Sequence, residues 1–225
     1  MGIDYTKQPG SAAGSANPGV SLNKVTLTKA NRSVDLAKGG ERQGVLRVNL
    51  NWTNPEPPKK PGFFAKLLGA GGGVDLDLGC LYELTDGSKG VVQALGSTYG
   101  DLHKPPFIAL DRDDRTGAVA GGENLHINLA DPAAFRRILV FAMIYEGAAN
   151  WAAVDGVVTM YPTSGPQIEV HLDSAVDGAR ICAVALLTNS GQGLTVQREV
   201  QYVNGSQADL DQAYHWGIRW AAGRK

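Results

Sequence analysis

Six carboxylates crowd two short stretches of this chain. In VDLDLG, Asp75 and Asp77 stand two residues apart; in LDRDDRTGAVAGGENLHINL, Leu110 to Leu129, the acids Asp111, Asp113, Asp114 and Glu123 bracket a run of small residues. On an extended strand a spacing of two sends Asp75 and Asp77 to one face and Val74, Leu76 and Leu78 to the other. If the loop from Asp111 to Glu123 folds against that strand, all six share a small volume, with Arg112 and Arg115 as local countercharges. Such a cluster is costly unless some acids protonate or a cation binds.

The ligand types select the cation. Every donor is a hard oxygen, which favours Ca²⁺, admits Mg²⁺ and disfavours zinc or copper. Gly117, Gly121 and Gly122 would let backbone carbonyls turn inward and complete an oxygen shell. The stretch is not an EF-hand: counting from Asp111, Thr116 holds the sixth position and Gly122 the twelfth, where Gly and Glu are required. The competing reading is that Asp111 to Asp114 make Asx turns in a solvated loop while Asp75 and Asp77 face water. Spacing alone leaves both open. Asp77 and Glu123 would also suit general acid and base work, or the acids a metal-assisted hydrolysis with Mg²⁺. No G-x-S-x-G elbow, P-loop or H-E-x-x-H accompanies them, and GSTYG, Gly96 to Gly100, only superficially resembles the first. His103, His126, His171 and His215 lie far apart without metal-ligand spacing.

The elements that must position these acids read as strands. VSLNKVTL, VLRVNLNW, VDLDLGCLYEL, LHINL, IEVHL and TVQREVQYV alternate apolar with polar residues, as half-buried strands do. RILVFAMIYE (Arg137 to Glu146) and ICAVALLT (Ile181 to Thr188) are apolar throughout, the pattern of central strands covered on both faces. Helical signals are short: DPAAF offers an N-cap Asp131 with Pro132 behind it, and ANWAAV about one turn. About ten strands with Gly, Asp and Asn turns predict an all-β fold, an antiparallel β-sandwich of two sheets with a few short helices in the connections. The ending YHWGIRW is expected to be a strand with Tyr214, Trp216 and Trp220 on one face, packing into the core in preference to forming an aromatic binding shelf.

The 225 residues divide into an expected flexible tail, residues 1–19, rich in Gly, Ala, Ser and Pro, and one domain, residues 20–225. Asn54 to Gly73 is a second break whose Phe63, Phe64, Leu67 and Leu68 suit either packing on the domain or a partner or membrane contact. A net charge of −1 with scattered Lys and Arg offers no field for nucleic acid. Cys80 and Cys182 sit in separate apolar runs and read as buried thiols in a reducing compartment. No apolar run is long enough to span a bilayer, and the N-terminus lacks the pattern of a secretory signal.

In order along the chain, VSLNKVTLTK, VLRVNLNW, VDLDLG, DDRTG with GENLHINL, and ILVFAMIYEG resemble the TerD superfamily of tellurium-resistance and stress-response proteins, closest to its TerA branch. The resemblance runs from about Val20 to the C-terminus. It implies a bacterial, cytoplasmic β-sandwich that binds one or two Ca²⁺ through acidic loops, is not an enzyme, and acts with other tellurium-resistance and stress proteins in an assembly near the inner membrane. Carried over by residue, the family's D-L-D acids match Asp75 and Asp77. Its Asp-Asn before Arg-Thr-Gly matches Asp113 and Asp114, the latter an Asp where the family has Asn, and its Glu before the strand matches Glu123. Where relatives carry further aspartates this chain has AVAGG, Ala118 to Gly122. Fewer acids mean a weaker site or a single ion, or a fold kept as a metal-free interaction scaffold.

Overall fold

The computed structural model describes residues 24–36, 43–53, 73–111, 121–191 and 193–220. The expected N-terminal tail and the Phe63 to Leu68 cluster lie outside these residues, as do Asp113 and Asp114.

Thirteen strands form among the described residues: β1 (Lys24–Thr26), β2 (Ser33–Asp35), β3 (Val45–Asn51), β4 (Asp75–Leu84), β5 (Lys89–Val92), β6 (Gly100–Asp101) and β7 (Ile108–Leu110). They are followed by β8 (Glu123–Asn128), β9 (Phe135–Glu146), β10 (Gly156–Tyr161), β11 (Gln167–Leu172), β12 (Ile181–Asn189) and β13 (Leu194–Val203). Each strand predicted from alternation is present. They assemble into a seven-stranded sheet ordered β1-β11-β10-β3-β8-β7-β6 and a six-stranded sheet ordered β2-β13-β12-β9-β4-β5. All pairings are antiparallel except β1 with β11. The fold is the all-β sandwich that the sequence predicts.

Alternation sets the layers. Leu46, Val48, Leu50, Leu76, Leu78, Cys80, Leu125, Ile127, Val158 and Val170 meet in the main core between the sheets. Removing each such side chain from water stabilises the fold by about 1.5–3 kcal/mol. A second cluster, Leu81, Leu139, Phe141, Ile181 and Ala183, lies under Leu210 and Trp216 from the C-terminal region. This second layer is why β9 and β12 are apolar throughout: they occupy the middle of the six-stranded sheet, and both of their faces are buried. Cys80 and Cys182 are buried free thiols, and burial pushes both thiol pKa values up, so neither is a ready nucleophile.

DPAAF forms a 3-10 turn, Pro132–Ala134, capped by the Asp131 carboxylate on the Ala133 N–H, and Asn150 caps the turn Trp151–Ala153 in the same way. The ending departs from expectation. YHWGIRW is not a strand: helix α1 (Gln207–Ala213) precedes it, and His215 and Gly217 turn the chain with φ of 51° and 80°. The expectation of core packing holds for Trp216, which is fully buried, with its indole N–H donating to Tyr82 O at 2.9 Å. Buried Asp211 fastens the segment, accepting from Gly217 N, Ile218 N and Trp220 Nε1 at 2.8, 2.8 and 3.0 Å.

Candidate functional site

Strand β4 carries the D-L-D pair. It pairs with β9 along its whole length, from Asp75 opposite Glu146 to Leu84 opposite Phe135, whereas its ladder with β5 spans only Cys80 to Glu83. At the Asp75 end, Leu76 and Leu78 enter the main core and the two aspartates take the other face, as a two-residue spacing requires. Asp77 is only 3% exposed and Asp75 is half-buried.

Glu123 reaches this end of β4 from the opposite sheet. As the first residue of β8 it shares the core-facing register of Leu125 and Ile127, and its Oε2 accepts the Leu78 N–H at 2.5 Å. A carboxylate of one sheet is thereby bonded to the backbone of the other, one residue from Asp77. Two features aim it. Gly122 has φ 68°, and a Cβ there would run into Leu50 O, so only glycine makes the turn into β8. Asn49, buried on β3, donates to Gly121 O at 2.6 Å and to Asn124 Oδ1 at 3.0 Å, holding the chain on both sides of Glu123.

The remaining candidates divide. Asp111 follows β7 on the outer face of the seven-stranded sheet, where its Oδ1 lies 3.2 Å from His126 Nε2. Glu146 stands across from Asp75 in the β4–β9 register, an acid that linear spacing did not single out because only strand pairing brings it there. Like charges in register repel, so this pair adds to the negative potential at the corner. Among the described residues no three His, Cys, Asp or Glu side chains stand close enough to hold a metal ion. Asp75 and Asp77 lie on the outward face of β4 and Glu123 on its core side, at the same end of the strand; the segment 112–120, which carries Asp113 and Asp114, is outside the described residues.

The acids at this end of β4 offer only oxygen donors, the chemistry of a hard cation and not of a thiolate or imidazole site. A carboxylate bonded to a backbone N–H across the sheets, as Glu123 is to Leu78, also acts as a brace between them. Among the described residues no helix is long and apolar enough to cross a membrane.

Comparison with known proteins adds an identity to this geometry. The chain is 41% identical over 206 residues to the tellurium resistance protein TerA of Alcaligenes sp, a match spanning 92% of this chain. This likeness supports a Ter-family assignment, of the TerD type. That TerD-type match covers 60% of the length of the TerA protein. No family model and no solved structure matches.

Proposed function

We propose that this chain is a calcium-binding, non-enzymatic stress protein of the tellurium-resistance type, working with other such proteins in a cytoplasmic or membrane-adjacent assembly. The resistance role rests on likeness to a protein named for tellurium resistance. The calcium role rests chiefly on one observation: Glu123 of one sheet accepts a hydrogen bond from the β4 backbone one residue from Asp77, bringing acids of both sheets to one end of the strand. Asp75, Asp77 and Glu123 would hold the ion, joined by Asp113 and Asp114 from the loop and by Asp111 if it leaves His126. The ion would neutralise these acids and tie the loop to the sheet edge.

A calorimetric Ca²⁺ titration of metal-stripped protein tests this. Saturable heat that disappears in both Asp77→Asn and Glu123→Gln supports the site; no heat at millimolar Ca²⁺ overturns it. A metal-free scaffold is the second reading, favoured by the engagement of Asp111 with His126 and by AVAGG between the acids. The absence of heat would move the role to that scaffold.

A further inference from the structure

The six-stranded sheet ends, at the edge away from β4, in β13 and β2. There a recess of about 320 Å³ is lined by Lys29, Arg32, Arg198, Glu199 and Val200. We propose that this recess binds a phosphate group, carried by a small phosphate monoester or by a lipid headgroup.

Three independent features meet in it. The first is charge. Lys29, Arg32 and Arg198 face one acid, Glu199, and that acid is engaged elsewhere: Oε2 accepts from the Tyr214 hydroxyl at 3.0 Å and Oε1 from Gln197 Nε2 at 2.9 Å. Among the described residues none of the three cations takes part in an ion pair.

The second is an unmet donor. Arg198 stands two residues after core residue Val196, on the strand face that leads inward, and its Nε is buried with no acceptor among the described residues. A buried guanidinium N–H is costly unless an oxygen takes it up, and a phosphate accepts two such bonds from one Arg fork.

The third is strain that builds the recess. Between Ala183 and Ala185 of β12 the register moves from Gln201 to Arg198, so β13 carries one extra residue there. The bulge holds Val200 at φ 46°, a left-handed conformation that a β-branched residue rarely adopts. Its effect is to re-aim Arg198, whose backbone N–H donates to Arg32 O at 2.7 Å and so brings the two guanidinium-bearing residues side by side. Among the described residues the lining offers no aromatic ring on which a base would stack, so the recognised unit is the phosphate itself.

The test uses the full chain in calcium-free buffer at constant ionic strength, titrated with inorganic phosphate and followed by backbone amide NMR. Saturable shifts confined to residues around Arg32 and Arg198–Val200, weakened at least tenfold in Arg198→Gln and in the surface double variant Lys29→Gln/Arg32→Gln, are expected. The double variant alters only exposed side chains, so it keeps the test open if Arg198→Gln misfolds. Flotation with phosphatidic acid vesicles, against phosphatidylcholine alone, separates the sources: flotation lost in the variants assigns a headgroup, and its absence beside phosphate binding assigns a soluble ester. Shifts that never saturate at tens of millimolar phosphate, or that survive in both variants, overturn the proposal.

Discussion

Strand β4 carries a buried carboxylate near each end, and the protein treats them differently. Glu83, 2% exposed, is met by Arg137 Nε at 2.7 Å, Arg136 Nη1 at 3.0 Å and Lys89 Nζ at 3.7 Å. Arg137 goes on to donate to Tyr214 O and His215 O and stacks on the Trp216 ring, its guanidinium carbon 3.8 Å from the centroid. Asp77, at the other end, has Asp75 on its own face, Glu146 across the register from Asp75, and Glu123 bonded to the backbone of the next residue. One end supplies cations from its own sequence; the other gathers acids. The difference teaches that burial of a carboxylate is not by itself a sign of a ligand site. What surrounds it decides: Glu83 is a structural rivet for the C-terminal segment, and Asp77 belongs to the corner proposed to take an external cation.

The largest effect should come from the riveted end. Removing one member of a buried ion pair leaves the others uncompensated, so Glu83→Gln is expected to cost about 3 kcal/mol in urea unfolding. An unchanged midpoint would mean that the arginines are held by the carbonyls of Tyr214 and His215 alone. Next in size, Asp211→Asn removes the charge that gathers three donors from the 217–220 segment. A loss of about 2 kcal/mol is expected, with a change in tryptophan fluorescence from Trp216 and Trp220. No fluorescence change would show that packing alone seats these rings.

Acidity separates the ends further. Burial pushes the Glu83 carboxyl up, but the hydrogen bond and charge of Arg137, with Lys89 and Arg136, outweigh it and leave the pKa below the usual range. A group depressed in the folded state contributes stability that is present above its unfolded pKa, about 4.3, and lost as pH falls through its folded value. Stability measured from pH 6 downward should therefore fall in the unaltered chain more steeply below about pH 4 than in Glu83→Gln. Parallel acid limbs would contradict the rivet. The smallest effect is expected at Asp111→Asn: its pair with His126 has an exposed carboxylate, so a loss of under about 1 kcal/mol is anticipated.

Much of this was legible in the chain itself. Period-two alternation located the strands that line the core, and the unbroken apolar runs of β9 and β12 marked the middle of a sheet, because each physical cause leaves a local pattern. The ending misled for an equally physical reason: aromatic residues at even spacing resemble a strand face, yet His215 and Gly217 adopt positive φ and the preceding turn is helical. The signal for α1 was present in Ser206-x-x-Asp209, whose side chains form a capping box. At the corner, Asp75 and Asp77 could be paired from their spacing, but the reach of Glu123 to Leu78 N and the placement of Glu146 depend on contacts between and across strands that no local window encodes. Asn49, which steadies the turn into β8, was invisible for the same reason.

The comparison is tested most directly by the melting temperature of metal-stripped protein with and without saturating Ca²⁺, measured side by side on the unaltered chain, Glu83→Gln and Asp77→Asn. Binding to the folded state alone adds about 2.7 kcal/mol at a hundred times the dissociation constant. The account expects that upward shift in the unaltered chain, the same shift from a lower starting point in Glu83→Gln, and none in Asp77→Asn. A shift that persists in Asp77→Asn, or none in the unaltered chain, would contradict it.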